Sequence, residues 1–289
     1  AAEPGYHLIE KLGEGGMGIV WRGFQGSLHR DVAIKQFKPE GASEEQFTAE
    51  ALVTGFLDHP NIVPVHALGQ DKEGQYFLAM KLVPGTAWCD LLHPRTDAHL
   101  QAGRHLNEEG HLRILLSVCN AVAFSHSRNI LHRDLKPENI MVGAFGEVLV
   151  MDWGIARSGA ETHGSSTSSL DTADTAAGIF TMDGTIKGTV PYMSPEQARG
   201  KQLDRRADVW AFACVLYEML TASKAFDGDT VSDVLVAILK EEPDWSRLPA
   251  EAPPALRGLI ERCLRKDPAR PSRDIRAVRV ELAGAHARA

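Results

Sequence analysis

Apolar and polar positions change their rhythm about a third of the way along the chain. HLIEKLGEGGMGIVWRGF reads as two short strands around a glycine-rich turn, and DVAIKQF reads as a compact strand. SEEQFTAEALVTGFL has apolar positions at helical spacing behind Ser43, whose hydroxyl suits a helix cap. HPNIVPVHALG and GQYFLAMKLV read as two more strands, the second ending at Pro84-Gly85, a candidate hinge. Beyond it the periodicity becomes helical. Residues 86–92 read as a short helix and 106–126 as a long one, with PRTDAHLQAGR between them as a surface insertion.

Two short strands, around NIMV and GEVLVMD, follow the long helix. SGAETHGSSTSSLDTADTAAG then has no periodicity and reads as a mobile surface segment. DVWAFACVLYEMLTA, VSDVLVAILKE, PALRGLIERCLR and DIRAVRVELAGA return to helix. No internal repeat is visible. The expected class is α+β: a small strand-rich lobe over residues 1–83 and a larger helical lobe over 84–289, together one domain.

Composition narrows this picture only a little. The 289 residues are 44% hydrophobic and 24% charged, an ordinary globular balance. The formal charge of −7 argues against a bulk attraction to nucleic acid or anionic lipid. Cys89, Cys119, Cys214 and Cys263 are widely spaced, which disfavours a zinc site or disulfide framework and suggests a reducing, cytoplasmic compartment. None of the twelve histidines falls in a metal-ligand spacing. No apolar run approaches the roughly 20 residues that span a bilayer, and no signal peptide opens the chain. The start at AAEPGY, without methionine, suggests a processed form or a piece of a longer protein.

Three motifs carry candidate chemistry. Gly13-Glu14-Gly15-Gly16-Met17-Gly18-Ile19-Val20 would let backbone amides approach a polyphosphate closely. A plain glycine-rich hairpin is the alternative, and dinucleotide folds also use such a run. The strand expected directly after it, where those folds place a helix, argues against them. Val32-Ala33-Ile34-Lys35 ends a strand on a lysine that would be costly to bury without an anion, unless it snorkels to the surface. Glu50, on the expected helix, could supply that partner. The third motif, His132-Arg133-Asp134-Leu135-Lys136-Pro137-Glu138-Asn139, sets a carboxylate, an ammonium and a carboxamide within six residues. That spacing lets Asp134 orient a hydroxyl, Lys136 neutralise phosphate charge and Asn139 reach a metal ion. Further on, VLVMDWG ends an apolar run on Asp152.

Together, GEGGMGIV, VAIK, HRDLKPEN and DWG resemble the protein kinase superfamily over roughly residues 6–283. GEGGMG and PYMSPEQ resemble the bacterial eukaryotic-like serine/threonine kinases in particular. The resemblance implies a bilobal fold, ATP with Mg2+ as cofactor (Mn2+ able to substitute), and transfer of the γ-phosphate to protein Ser and Thr hydroxyls. It implies that Gly13, Glu14, Gly15, Gly16, Met17 and Gly18 cover the phosphates and that Val20 and Ala33 sandwich the adenine. Lys35 would hold the α- and β-phosphates, aligned by Glu50. Met80 would guard the back of the adenine pocket, and Lys81, Leu82 and Val83 would form its hinge. Asp134 would aim the substrate hydroxyl and Lys136 touch the γ-phosphate. Asn139 and Asp152 would hold the metal.

The same resemblance places Thr189 in the substrate-docking segment, bonded into the catalytic loop. Glu196 would pair with Arg270, and Asp208 would anchor the catalytic loop. The long segment from Asp152 to Glu196 suggests regulation by autophosphorylation, with Thr181 and Thr185 the preferred sites, through a transient homodimer. Trp153 is a departure, because the family usually has phenylalanine there. It leaves open a pseudokinase scaffold that binds nucleotide without transfer, a reading that Lys81 in the hinge also motivates. A related small-molecule phosphotransferase is a third reading, against which GTVPYMSPE speaks.

Overall fold

Five antiparallel strands form the first sheet, whose interior strands bury Val32, Ala33, Ile34 and Phe37 and Leu78, Ala79 and Met80. The five are β1 (Tyr6–Gly15), β2 (Gly18–Gln25), β3 (Arg30–Phe37), β4 (Val65–Gln70) and β5 (Tyr76–Lys81), in the spatial order β1-β2-β3-β5-β4. The computed structural model describes residues 5–15, 18–39, 43–153, 190–266 and 274–286. Between β2 and β3 the backbones approach so closely at Gly18 that an added Cβ would lie 2.2 Å from the Gln36 carbonyl oxygen. Glycine is therefore required there by packing.

Helix α1 (Glu44–Phe56) starts where the sequence indicates. The Ser43 hydroxyl accepts from the Gln46 N–H, and the Gln46 side chain accepts from the Ser43 N–H, which satisfies two otherwise orphan amides. Its inner face carries Phe47, Glu50, Ala51 and Thr54. Phe47 meets Phe37 edge to face at 5.6 Å, closing a small core with Ala51 and Leu78.

The strand expected over HPNIVPVHALG is shorter than its apolar content suggests, since β4 begins only at Val65. Pro60 and Pro64 lack amide hydrogens, so the ladder cannot run through them. Ile62 instead forms an isolated parallel bridge with Val150, and Val63 N donates to Val150 O at 3.2 Å.

A second sheet contains β6 (Gly85–Ala87), β7 (Ile140–Gly143) and β8 (Val148–Val150), in that spatial order. The helix expected over 86–92 is thus corrected at its start. Thr86 and Ala87 pair with Val142 and Met141, and helix α2 (Trp88–Leu92) follows. The expected surface insertion contains helix α3 (Asp97–Gly103), capped by Thr96, whose hydroxyl accepts from His99 N. The long helix, α4 (Glu108–Ser127), is capped by Asn107 and so begins two residues later than expected.

The remaining described helices are α5 (Pro195–Ala198), α6 (Arg206–Thr221), α7 (Val231–Lys240), α8 (Pro254–Cys263) and α9 (Ile275–His286). Every residue of α6 from 207 to 218 is buried, so this helix is the centre around which the larger lobe packs. Two carboxylates, Asp208 and Glu218, lie within it and need partners. The aperiodic polar stretch and the Thr181, Thr185, Thr189 and Arg270 expectations lie outside the described residues, as do Gly16 and Met17. No helix among the described residues is long and apolar enough to cross a membrane.

Candidate active site

The first sheet brings Lys35 to the cleft. β3 is buried on both faces at Val32, Ala33 and Ile34, and Lys35, on the same face as Ala33, turns inward with only 10% of its side chain exposed. α1 supplies Glu50, whose Oε1 accepts from Lys35 Nζ at 2.7 Å. From the other lobe Asp152 Oδ1 accepts from the same ammonium at 3.3 Å. Burial alone would lower the lysine's pKa, but the Asp152 and Glu50 carboxylates outweigh it and raise the value above its usual range. Lys35 is therefore a fixed cation between two acidic groups.

Asp152 lies two residues past the end of β8 and takes the left-handed backbone conformation, with φ of 54°. For a residue with a Cβ that conformation costs about 1–2 kcal/mol. Its neighbours hold it there. Met151 N donates to Asn139 O at 2.8 Å, and His132 Nε2 donates to Met151 O at 3.1 Å. Trp153 is fully buried, with its ring 4.6 Å from that of His132 and its N–H donated to Val150 O. The larger aromatic is thus accommodated, and its polar atom is satisfied.

The loop after α4 holds the remaining groups. Asn139 Nδ2 donates to the Asp134 carbonyl at 2.9 Å and to its carboxylate at 3.2 Å. Lys136 Nζ lies 2.9 Å from Asp134 Oδ2. Two motif residues, two and five positions further along the chain, therefore converge on the Asp134 carboxylate. The loop itself is hung from Asp208, whose oxygens accept from His132 N at 2.9 Å and Arg133 N at 2.8 Å. His126 Nε2 donates to Asp208 Oδ2 at 2.7 Å. Burial pushes that carboxyl up, but hydrogen bonding and charge from His126 bring it below the usual carboxylate range. Arg133, like Asp152, has a left-handed backbone, with φ of 67°.

Four of the residues expected on the adenine side, Val20, Ala33, Met80 and Leu82, fall in one cluster. Ala33, Val63 and Met80 are buried together, with Val20, Leu82 and Met151 packed against them. Val63 and Met151 were missed by sequence reasoning, although Met151 directly precedes Asp152. Lys81 N is already engaged by Pro64 O at 2.9 Å, so it is not the hinge N–H that a ring edge would use. Gln197, also missed, donates from Nε2 to Arg133 O at 2.7 Å and ties the PYMSPEQ segment to the catalytic loop. In the glycine-rich strand pair, a Cβ added at Gly13 or Gly15 would meet nothing within 4 Å. Internal packing does not require glycine at either position, which fits a cradle kept open for a ligand.

The donor set suits a hard divalent cation shared with phosphates. Asp152 offers a carboxylate, 55% exposed, and Asn139 a carboxamide oxygen. No group of three or more His, Cys, Asp or Glu able to hold a metal occurs among the described residues. Magnesium matches this sparse set, because it is usually bound through one or two carboxylates plus substrate phosphates.

A small antiparallel sheet over a helical lobe, with a lysine, three acidic groups and an asparagine converging between them, defines an ATP-dependent phosphotransferase fold. A protein kinase domain model matches residues 6–277, and the chain belongs to the protein kinase family. Serine/threonine-protein kinase PknB of Mycolicibacterium smegmatis is 36% identical over 289 residues, 97% of this chain and 43% of that protein. Serine/threonine-protein kinase pkn3 of Myxococcus xanthus is 36% identical, covering 96% of this chain and 49% of its own length. Serine/threonine-protein kinase PknD of Protochlamydia amoebophila is 32% identical over 91% of this chain and 28% of its own. The chain spans less than half the length of each of these curated relatives.

Proposed function

We propose that the chain is a serine/threonine protein kinase catalytic domain that moves the γ-phosphate of ATP to Ser and Thr hydroxyls of proteins. The observation that carries this reading is the Lys35 ammonium held between Glu50 and Asp152 while Lys136 and Asn139 converge on Asp134. Lys35 holds the α- and β-phosphates, and Gly13 to Gly18 cover them. Val20, Ala33 and Met80 enclose the adenine, with its edge against residues 81–83. Asp134 accepts or aims the hydroxyl proton, and Lys136 balances charge on the transferred group. Asn139 and Asp152 hold Mg2+, for which Mn2+ substitutes; the ion supplies charge neutralisation at the phosphates. Phosphoryl transfer depends on positioning and electrostatics more than on covalent help, so a few rigidly placed groups suffice.

The smaller lobe ends at residue 83 and the larger begins at 84. Support comes from β5 ending at Lys81 and β6 pairing with β7 in the second sheet. Autophosphorylation at Thr181 or Thr185 through a transient homodimer, docking through Thr189, and action in the cytoplasm belong to the same reading. Four free cysteines support the last. The test is incubation with γ-labelled ATP, magnesium and a peptide pool bearing Ser, Thr and Tyr. Label on Ser and Thr is expected. Label on Tyr alone, or nucleotide binding without any label, would contradict the proposal, the second outcome in favour of a scaffold.

A further inference from the structure

We propose that Trp153 is a positioning residue: its indole N–H, donated to Val150 O, holds Asp152 in the left-handed conformation from which its carboxylate meets Lys35. The role of Asp152 rests on the proposed function; the backbone restraint does not.

The restraint is built from both sides of Asp152. Upstream, Met151 is fixed through its N–H to Asn139 O and through its carbonyl to His132 Nε2. Downstream, the Trp153 N–H reaches back three residues to Val150 O at 3.3 Å and closes a loop around Met151 and Asp152. Val150 is a firm anchor. Its N–H donates to Asn61 O at 2.9 Å, and its carbonyl also accepts from Val63 N at 3.2 Å, using the second lone pair. The strained φ of Asp152 therefore lies between two tethered neighbours, and strain of this kind persists only where the surroundings determine it.

Packing alone does not account for the indole. A phenylalanine ring could lie against His132 as the Trp153 ring does, at 4.6 Å, but it has no donor for Val150 O. Moving the indole out of its seat would expose a large, fully buried apolar surface and break that hydrogen bond. With phenylalanine only the first cost remains. The inward arrangement of Asp152 is thus more firmly preset here than phenylalanine would make it, before any nucleotide binds.

The test uses the nucleotide-free chain and compares the parent with Trp153→Phe. Trp210→Phe is the control: this indole is also buried and stacks on Phe226, but its N–H has no hydrogen-bond partner. Hydrogen–deuterium exchange is read over residues 148–153, and the magnesium concentration that half-saturates phosphoryl transfer is read separately. Trp153→Phe should speed exchange in that segment about fivefold and raise the magnesium requirement by a similar factor, which corresponds to about 1 kcal/mol, one ordinary hydrogen bond. Trp210→Phe should leave both unchanged. If Trp153→Phe does not fold, a benzothienyl side chain at 153 keeps the indole shape, replaces N–H by sulfur, and gives the same comparison. Unchanged exchange with the N–H removed would overturn the proposal, as would an equal effect of Trp210→Phe. Exchange reads the restraint even if no transfer occurs, so failure of the kinase reading remains distinguishable.

Discussion

Lys35 Nζ and Asp152 Oδ1 lie 3.3 Å apart, although 117 positions separate them in the chain. The contact joins β3 in the smaller lobe to the residues just past β8 in the larger one. Glu50, from a third element, makes the closer bond to the same ammonium, at 2.7 Å. Three segments that share no local sequence signal are thereby tied to a single charge.

Lys35→Met should abolish nucleotide-assisted transfer by about a hundredfold or more, the scale seen when one preorganised electrostatic group is removed. It should also destabilise the fold, because Glu50 would remain buried without its cation. Adding Glu50→Gln to Lys35→Met should recover part of that stability. A thermal-denaturation double-mutant cycle measures the coupling, expected at about 0.5–3 kcal/mol; strict additivity would argue against a working ion pair.

Asp208→Asn should loosen the catalytic loop. One amide cannot replace two carboxylate oxygens that accept from His132 N, Arg133 N and His126. Each buried N–H left unpaired costs about 1–3 kcal/mol. Denaturant midpoints should fall accordingly, and kcat should drop more than KM for ATP, because the loop carries Asp134 and does not bind the adenine.

The first and last of these contacts were legible to very different degrees. HRDLKPEN, VAIK and the DWG aspartate name their residues in the sequence, and the helix cap at Ser43 follows from hydroxyl chemistry next to a periodic run. Glu50 could be offered as the partner of Lys35 from the cost of burying a lysine, but bringing Asp152 to the same ammonium was legible only through the family resemblance, since nothing local couples those positions. Val63, Met151 and Gln197 escaped notice because their roles come from tertiary packing alone. The start of α2 was misread because helical periodicity in 86–92 does not reveal that Thr86 and Ala87 find ladder partners in β7. Pro60 and Pro64 were visible, yet the apolar run around them outweighed their missing N–H groups.

Ser43→Ala should cost about 0.5–2 kcal/mol by removing the hydroxyl of the capping box. Because α1 also carries Glu50, the same change should weaken the Lys35 contact and lower transfer modestly. Chemical denaturation and initial rates, compared between the two proteins, check both effects.

Acid should destabilise the fold partly through His111. Its Nδ1 accepts from the buried Trp88 N–H at 2.9 Å, an arrangement open only to the neutral ring. Burial lowers its pKa below the ordinary histidine value of about 6.5. As pH falls through 6.5 the unfolded chain binds a proton that the folded protein refuses, so stability declines toward lower pH until the folded value is reached. His111→Gln offers a carbonyl that accepts without titrating. Its melting temperature should fall less between pH 7 and 5 than that of the parent, while His132, also lowered by burial, keeps part of the decline.

The most direct measurement is magnesium-dependent transfer of the γ-phosphate from ATP to a generic basic protein, by the parent chain and by Asp134→Asn, with ATP binding measured in parallel. Asp134 receives both Lys136 and Asn139 and is the group proposed to take the hydroxyl proton. The expected result is transfer by the parent, a loss of about 10²–10⁴-fold in the variant, and ATP affinity that changes little. Transfer by Asp134→Asn at the parental rate would contradict the assignment of Asp134, and nucleotide binding by the parent without any transfer would contradict the kinase reading itself.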